Sequence, residues 1–118
     1  LGQAMGVTFL LLTTTGRKSG KVYTTPLGYF EHEDGYVIAA SNAGQPRNPG
    51  WYHNLKGDPR VAIQVGSRVM EAVAEEATGD LRRALWERRV ALTPAWNAYT
   101  KRTDREFPMV ILRPTGRV

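Results

Sequence analysis

Two glycines bracket two cations and a hydroxyl in Gly16-Arg17-Lys18-Ser19-Gly20. Glycine permits positive φ and close backbone approach. Such a turn can therefore offer one anion main-chain N–H groups, a guanidinium fork and an ammonium together. The same residues also describe the solvated tip of a hairpin, and by themselves they do not choose between the two. Two further stretches carry residues suited to recognition. Ser41 to Trp51 runs from small residues into Arg47, Asn48 and an aromatic pair, and Trp96 and Tyr99 stand three apart. Trp51 reads first as a core anchor, as most tryptophans are, whereas Trp96 and Tyr99 stand open between packing and contact with a bound molecule.

Several chemistries are missing from the residue set. Gly16 to Lys21 is not a P-loop, because only three residues separate the glycines and Val22 stands where a magnesium-binding Ser or Thr belongs. No GxGxxG follows a strand-like run, no serine sits in a nucleophile elbow, and the acids cluster only at Glu31–Asp34 and Glu75–Glu76. With no cysteine and two histidines, His32 and His53, a metal site is not expected. Any redox chemistry must then be carried by a bound cofactor.

The elements that would position these residues are mostly strands. Val7 to Thr15 is apolar and β-branched, Lys21 to Phe30 reads as its hairpin partner with Pro26 at an edge or bulge, and Tyr36 to Ala40 reads as a third strand. Ser41 to Arg47 is a loop. Asn48-Pro49 reads as N-cap and first helical residue of a short helix ending at Gly57. Arg60–Val65 and Arg68–Ala77 form a hairpin across Gly66-Ser67, with Val69, Ala72 and Ala74 expected to pack. A long helix follows from Leu81 to about Leu92. Leu81, Ala84, Leu85, Arg88 and Leu92 share its apolar face, and Arg82, Arg83 and Arg89 point to solvent. Ala95 to Lys101 is a second helical segment, and Phe107 to Leu112 is the last strand. Six strands, mostly antiparallel, with helical flaps predict a mainly β protein, a small closed or split β-barrel.

Length and charge bound the rest. A chain of 118 residues makes one domain, 1–118, and 42% hydrophobic residues suit a globular protein. It starts at Leu1 rather than Met, so a preceding segment is expected. No apolar run is long enough for a transmembrane helix, and a cysteine-free chain suits the cytoplasm. The net charge is +5, and twelve of the sixteen cations are arginines, the better fork for phosphate and carboxylate. An anionic partner follows: a phosphorylated cofactor, nucleic acid or a membrane surface.

The segments LLTTTGRKSG, AASNAG, NPGWYHNLKGDP and TDREFPMVILRP occur in this order from about Thr8 to Pro114. Together they resemble the deazaflavin-dependent nitroreductases, the F420H2-dependent quinone reductases of actinobacteria. The resemblance implies a split β-barrel of the FMN-binding type and a site for coenzyme F420, a deazaflavin with a phosphodiester-linked, polyanionic tail. It implies that Arg17, Lys18, Ser19 and Gly20 surround the phosphate and that Thr25 and Pro26 lie beside the ring. Ala40, Ser41, Asn42 and Ala43, with Arg47, Asn48, Pro49 and Trp51, would close the groove, backbone N–H groups near Ser41 and Ala43 supporting the pyrimidine edge. It further implies that Trp96 and Tyr99 lie where the electron acceptor docks, so that Tyr99, Trp96 and Ser41 are the catalytic candidates.

The activity so implied is hydride transfer from reduced F420 to a quinone or other conjugated or nitro acceptor. Alternatives are the same barrel holding FMN or heme, or a basic module for nucleic acid or a membrane. The cations split between a hairpin tip and a helix rather than interleaving with aromatics, which speaks against nucleic acid. A quinone acceptor leaves room for peripheral membrane contact by a monomer or homodimer.

Overall fold

The computed structural model describes residues 3–4 and 7–117. Seven strands form one antiparallel sheet: β1 (Gln3–Ala4), β2 (Val7–Thr15), β3 (Val22–His32), β4 (Gly35–Ala39), β5 (Arg60–Val65), β6 (Arg68–Ala77) and β7 (Met109–Arg117). Their order is β1-β2-β3-β4-β7-β6-β5. A further pairing of β2 with β5, Leu11–Thr13 against Gln64–Ala62, closes six of them into a barrel. The mainly β, split-barrel expectation holds. The two-residue β1, which pairs with the start of β2, was not anticipated.

Period-2 alternation between two buried faces explains why β4 and the Met109–Leu112 part of β7 are apolar throughout. Tyr36, Ile38 and Ala40 point into the barrel with Val110 and Leu112. Their neighbours Val37, Ala39, Met109 and Ile111 point out, into a second core covered by helix α2 (Gly79–Leu92). Both faces of this pair are buried, so neither needs polar residues.

The barrel is split where β3 meets β4. β2 and β3 pair from Thr8↔Tyr29 to Thr15↔Val22, but β3 and β4 pair only at Phe30, Glu31 and His32. Pro26 therefore sits in a stretch of β3 that, among the described residues, pairs with β2 alone, an edge-like position that tolerates a missing N–H. The gap beside it is where the groove opens.

Four local expectations are corrected. Pro49, not Asn48, is the N-cap of helix α1 (Gly50–Gly57), and the Asn48 side chain instead accepts a hydrogen bond from Arg105. On β6 the inward residues are Met70 and Ala72, whereas Val69 is exposed, because register with β5 decides the parity. On α2 the buried residues are Leu85 and Arg89, while Leu81 and Leu92 are exposed. Arg89 is 3% exposed, not solvated. Its guanidinium lies over the rings of both Phe30 and Trp96, which lets a planar cation serve as a packing residue. The last strand, finally, begins at Met109 rather than Phe107, whose ring is buried against Trp86.

Candidate functional site

The Gly16–Gly20 turn is closed by its own backbone. The Gly16 N–H donates to the Lys21 carbonyl at 2.6 Å, and the Gly20 N–H donates to that of Gly16 at 3.0 Å. Gly20 takes φ +72°, where a side chain would be strained, and the Ser19 hydroxyl accepts from the Lys21 N–H at 3.1 Å. This leaves Arg17 and Lys18 exposed on one lip.

Helix α1 is packed behind that lip. Asn54 is the joint: its Oδ1 accepts the Arg17 N–H at 3.3 Å and its Nδ2 donates to the buried Thr14 hydroxyl at 3.2 Å. On its other side the Tyr52 hydroxyl donates to Glu76 Oε1 at 2.7 Å and Lys56 Nζ donates to the same oxygen at 3.0 Å, fastening α1 to β6. Burial, then the hydrogen bond and charge of Glu76, push the Tyr52 phenol up to about 12.

Between tip and helix lies a cavity of about 540 Å³ lined by Arg17, Lys18, Ser19 and Thr25, with Gly16, Tyr23, Gly50, Trp51 and Asn54. A second cavity, of about 380 Å³, continues into the split of the barrel. Its walls are β3 from Thr25 to Gly28 with Phe9 and Ala39, the turn Ser41–Ala43 with Pro49 and Trp51, and the aromatics Trp96 and Tyr99. Thr25 and Trp51 line both, so the two are one groove, cationic at one end and aromatic at the other.

The aromatic end is built from two short 3₁₀ segments, Asn42–Gly44 and Pro94–Lys101. Asn42, Ala43 and Gly44 all have positive φ, at 49°, 55° and 79°. For two non-glycine residues this is strain that the surroundings must hold. A Cβ on Gly44 would lie 2.9 Å from the Tyr99 carbonyl oxygen, so the turn is pressed against the second segment. There the Trp96 and Tyr99 rings lie 5.6 Å apart and both are half-buried.

The structure brings together Arg17, Lys18, Ser19, Thr25, Pro26, Ser41, Asn42, Ala43, Pro49, Trp51, Trp96 and Tyr99 along this groove. It does not bring Gly20, Ala40, Arg47 or Asn48 to the wall. Gly20 shapes the tip, Ala40 is fully buried behind the turn, Arg47 is exposed with its carbonyl accepting from Asn42 Nδ2, and Asn48 faces Arg105. Asn54, Arg102 and Arg105 are supporting residues that sequence reasoning missed. Asn54 and Arg105 stand inside NPGWYHNLKGDP and TDREFP, but as pattern only, since their partners are 37 or more residues away.

The donor set suits a cofactor with an anionic tail and a flat ring system: cations at one end, and aromatic rings with small residues at the other. Comparison with known proteins agrees. The sequence model of the F420H(2)-dependent quinone reductase family matches residues 1–114. The Mycobacterium tuberculosis F420H(2)-dependent quinone reductase Rv1261c is 42% identical over 109 residues, covering 87% of this chain and 71% of that one. Rv3178 of the same organism, whose name carries the same activity, is 39% identical over 105 residues, covering 89% and 88%. A solved structure, the F420-H2 dependent reductase FDR-A, superimposes with a TM-score of 0.80 at 38% identity, covering 89% of this chain and 93% of that chain. With a split barrel, a groove charged at one end and kinship along nearly its whole length, the chain belongs to the F420H(2)-dependent quinone reductase family, oxidoreductases that use coenzyme F420.

Proposed function

We propose that the groove seats F420 with its phosphate and acidic tail at the Gly16–Gly20 end and its ring system between Thr25–Pro26 and the Ser41–Ala43 turn. A quinone-class acceptor docks against Trp96 and Tyr99. The observation that carries this reading is the continuity of the two cavities through Thr25 and Trp51, with Arg17 and Lys18 at only one end.

The bound cofactor supplies the hydride; the chain supplies binding, orientation and exclusion of water. Arg17 and Lys18 hold the phosphate through charge-assisted hydrogen bonds. Ser41 supports the ring edge at the split of the barrel. Trp96 and Tyr99 shield the acceptor, and the Tyr99 hydroxyl is the side-chain proton source. Neither His32 nor His53 lines the groove: His32 pairs with Glu33 and His53 packs beside Tyr52, so neither is placed as a heme ligand there. Lys101 and Arg102 are exposed at the acceptor end, which supports peripheral contact with an anionic membrane holding a lipid-soluble quinone. No helix among the described residues is long and apolar enough to cross a membrane.

Titration of the protein with F420 and with FMN, followed by fluorescence, tests the cofactor assignment, and Arg17→Ala tests its orientation. Loss of charge-assisted bonds worth about 1.5–3 kcal/mol raises the Kd for F420 roughly 10- to 100-fold. An unchanged Kd in Arg17→Ala would place the phosphate elsewhere, and tighter binding of FMN than of F420 would overturn the cofactor assignment for this groove. Vesicle flotation with and without anionic lipid tests the membrane contact, and no lipid-dependent association would remove it.

A further inference from the structure

Arg105 lies outside the groove, yet all five of its N–H groups are spent on the turn that forms the groove's far wall. Nη1 donates to the Ala40 carbonyl at 3.1 Å and to Asn48 Oδ1. Nη2 donates to the Ser41 carbonyl at 2.9 Å and to that of Gln45 at 3.0 Å, and Nε donates to Gln45 again at 3.2 Å. The guanidinium is backed by the Phe107 ring, 4.8 Å from its carbon. Arg102 adds a bond from Nη1 to the Ala43 carbonyl at 2.9 Å.

These bonds fix the direction of peptide planes. In a trans peptide the carbonyl of one residue and the N–H of the next point opposite ways, and the described chain has no cis bond. Turning the Ala40 and Ser41 carbonyls onto Arg105 turns the Ser41 and Asn42 N–H groups away from it. Ser41 and Asn42 line the cavity and Arg105 does not. The left-handed φ of Asn42 and Ala43 is the conformational cost of that orientation, and the arginine fork over-determines it together with the Gly44 N–H, which also donates to the Ser41 carbonyl at 2.9 Å.

We propose that Arg105 is a positioning residue for cofactor recognition. By holding the Ala40 and Ser41 carbonyls outward, it aims the Ser41 and Asn42 backbone N–H groups into the ring end of the groove, to donate to the carbonyl edge of a bound pyrimidine-type ring. The inference rests on the proposed seating of the ring. It goes further by assigning control of the main-chain donors at that edge to a side chain on a different loop. Arginine is required for its geometry: lysine keeps the charge but not the planar fork that reaches four acceptors at once.

The test pairs two ligands with two sites. The ligands are F420 and its riboside fragment, the deazaflavin lacking phosphate and tail. The proteins are the parent chain, Arg105→Lys and Arg17→Ala, with binding followed by fluorescence and exchange of the 40–48 amides by mass spectrometry. Arg105→Lys is expected to weaken both ligands by a similar factor, about 10-fold, and to speed amide exchange in 40–48 without cofactor. Arg17→Ala is expected to weaken F420 alone. Unchanged affinities together with unchanged exchange in Arg105→Lys overturn the positioning role. Weakening of F420 but not of the riboside would show Arg105 acting on the tail, and also overturns it. Faster exchange with both affinities unchanged overturns the seating of the ring at this turn, and the proposal with it. If Arg17→Ala weakens both ligands equally, the phosphate assignment fails while the Arg105 result stands. Should Arg105→Lys fold poorly, Arg102→Gln releases the Ala43 carbonyl and removes the cation 5.5 Å over the Tyr99 ring. It is expected to weaken both ligands about 3-fold, and no effect on either would count against the proposal.

Discussion

The Arg89 guanidinium carbon lies 5.0 Å from the centre of the Trp96 ring, with the Phe30 ring 5.4 Å from the same carbon. Arg89 Nη2 donates to the Thr93 hydroxyl at 2.7 Å, while Nε and Nη1 have no hydrogen-bond partner among the described residues. Burial lowers the pKa of this guanidinium, which nevertheless stays charged at neutral pH. A buried cation is thus held largely by ring faces, directly behind Trp96 at the aromatic end of the groove.

Removing that cation should separate packing from stability. Arg89→Met keeps much of the volume and relieves a desolvated charge, so thermal stability is expected to stay within about 1 kcal/mol of the parent. The Trp96 ring loses its backing, and the KM for a quinone is expected to rise several-fold with the Kd for F420 unchanged. Thermal melts and steady-state kinetics check both; an unchanged KM would mean that Trp96 is held by Trp86 and Tyr99 alone.

Within the wall, Trp96 and Tyr99 should fail differently. Trp96→Ala removes stacking surface and is expected to raise KM for the acceptor about 10-fold, as loss of roughly 1–1.5 kcal/mol of aromatic contact would. Tyr99→Phe keeps the ring and deletes the hydroxyl, so turnover should fall with little change in KM or in cofactor affinity. A turnover equal to the parent's would assign the proton to another source.

Asn54 couples the tip to α1, so its loss should be felt at the cationic end only. Asn54→Ala strands the buried Thr14 hydroxyl and frees the Arg17 N–H, at a cost of about 1–2 kcal/mol to stability. The Kd for F420 is expected to rise several-fold and that for the riboside fragment to stay constant. Calorimetry and the two titrations measure these together.

Tyr52 gives a pH signature. Its phenol is raised on folding from 10.0 to about 12, so the unfolded chain loses the proton first. The contribution is complete below pH 10 and is lost as pH climbs through about 12. The hydroxyl is only half-buried, so screening reduces the effect to about 1 kcal/mol. Tyr52→Phe should therefore be less stable than the parent at neutral pH, and the gap should close between about pH 10 and 12. Urea midpoints across that window show whether it does.

Much of the fold was legible because it rests on local signals. Arg60–Val65 and Arg68–Ala77 alternate and flank a two-residue glycine turn, and both strands form at those bounds. The polar residues in Gly16–Gly20 have no packing reason to sit together, which marks that turn as a candidate site from residue type alone. What misled was parity and amphipathicity. Val69 looked like a core residue until the register with β5 put Met70 inside. Asn48 looked like a cap until Arg105, 57 residues on, took its side chain. Arg89 looked solvated because charge alone does not reveal that it will lie over two rings.

Residue order alone is enough to read the strand-forming segments, the basic turn, the need for a borrowed redox group and the kinship with F420-dependent reductases. The first three follow from residue type and from spacing within a few turns of chain, and the kinship from the resemblance of whole segments spread from Thr8 to Pro114. It takes the folded chain to show that β2 closes on β5, that the barrel splits beside Pro26, and that Ser19 and Tyr99 stand along one groove. It alone showed the groove's walls held from behind by Asn54, Arg89 and Arg105. Those facts depend on hydrogen bonds and ring contacts between residues tens of positions apart, which no local pattern specifies.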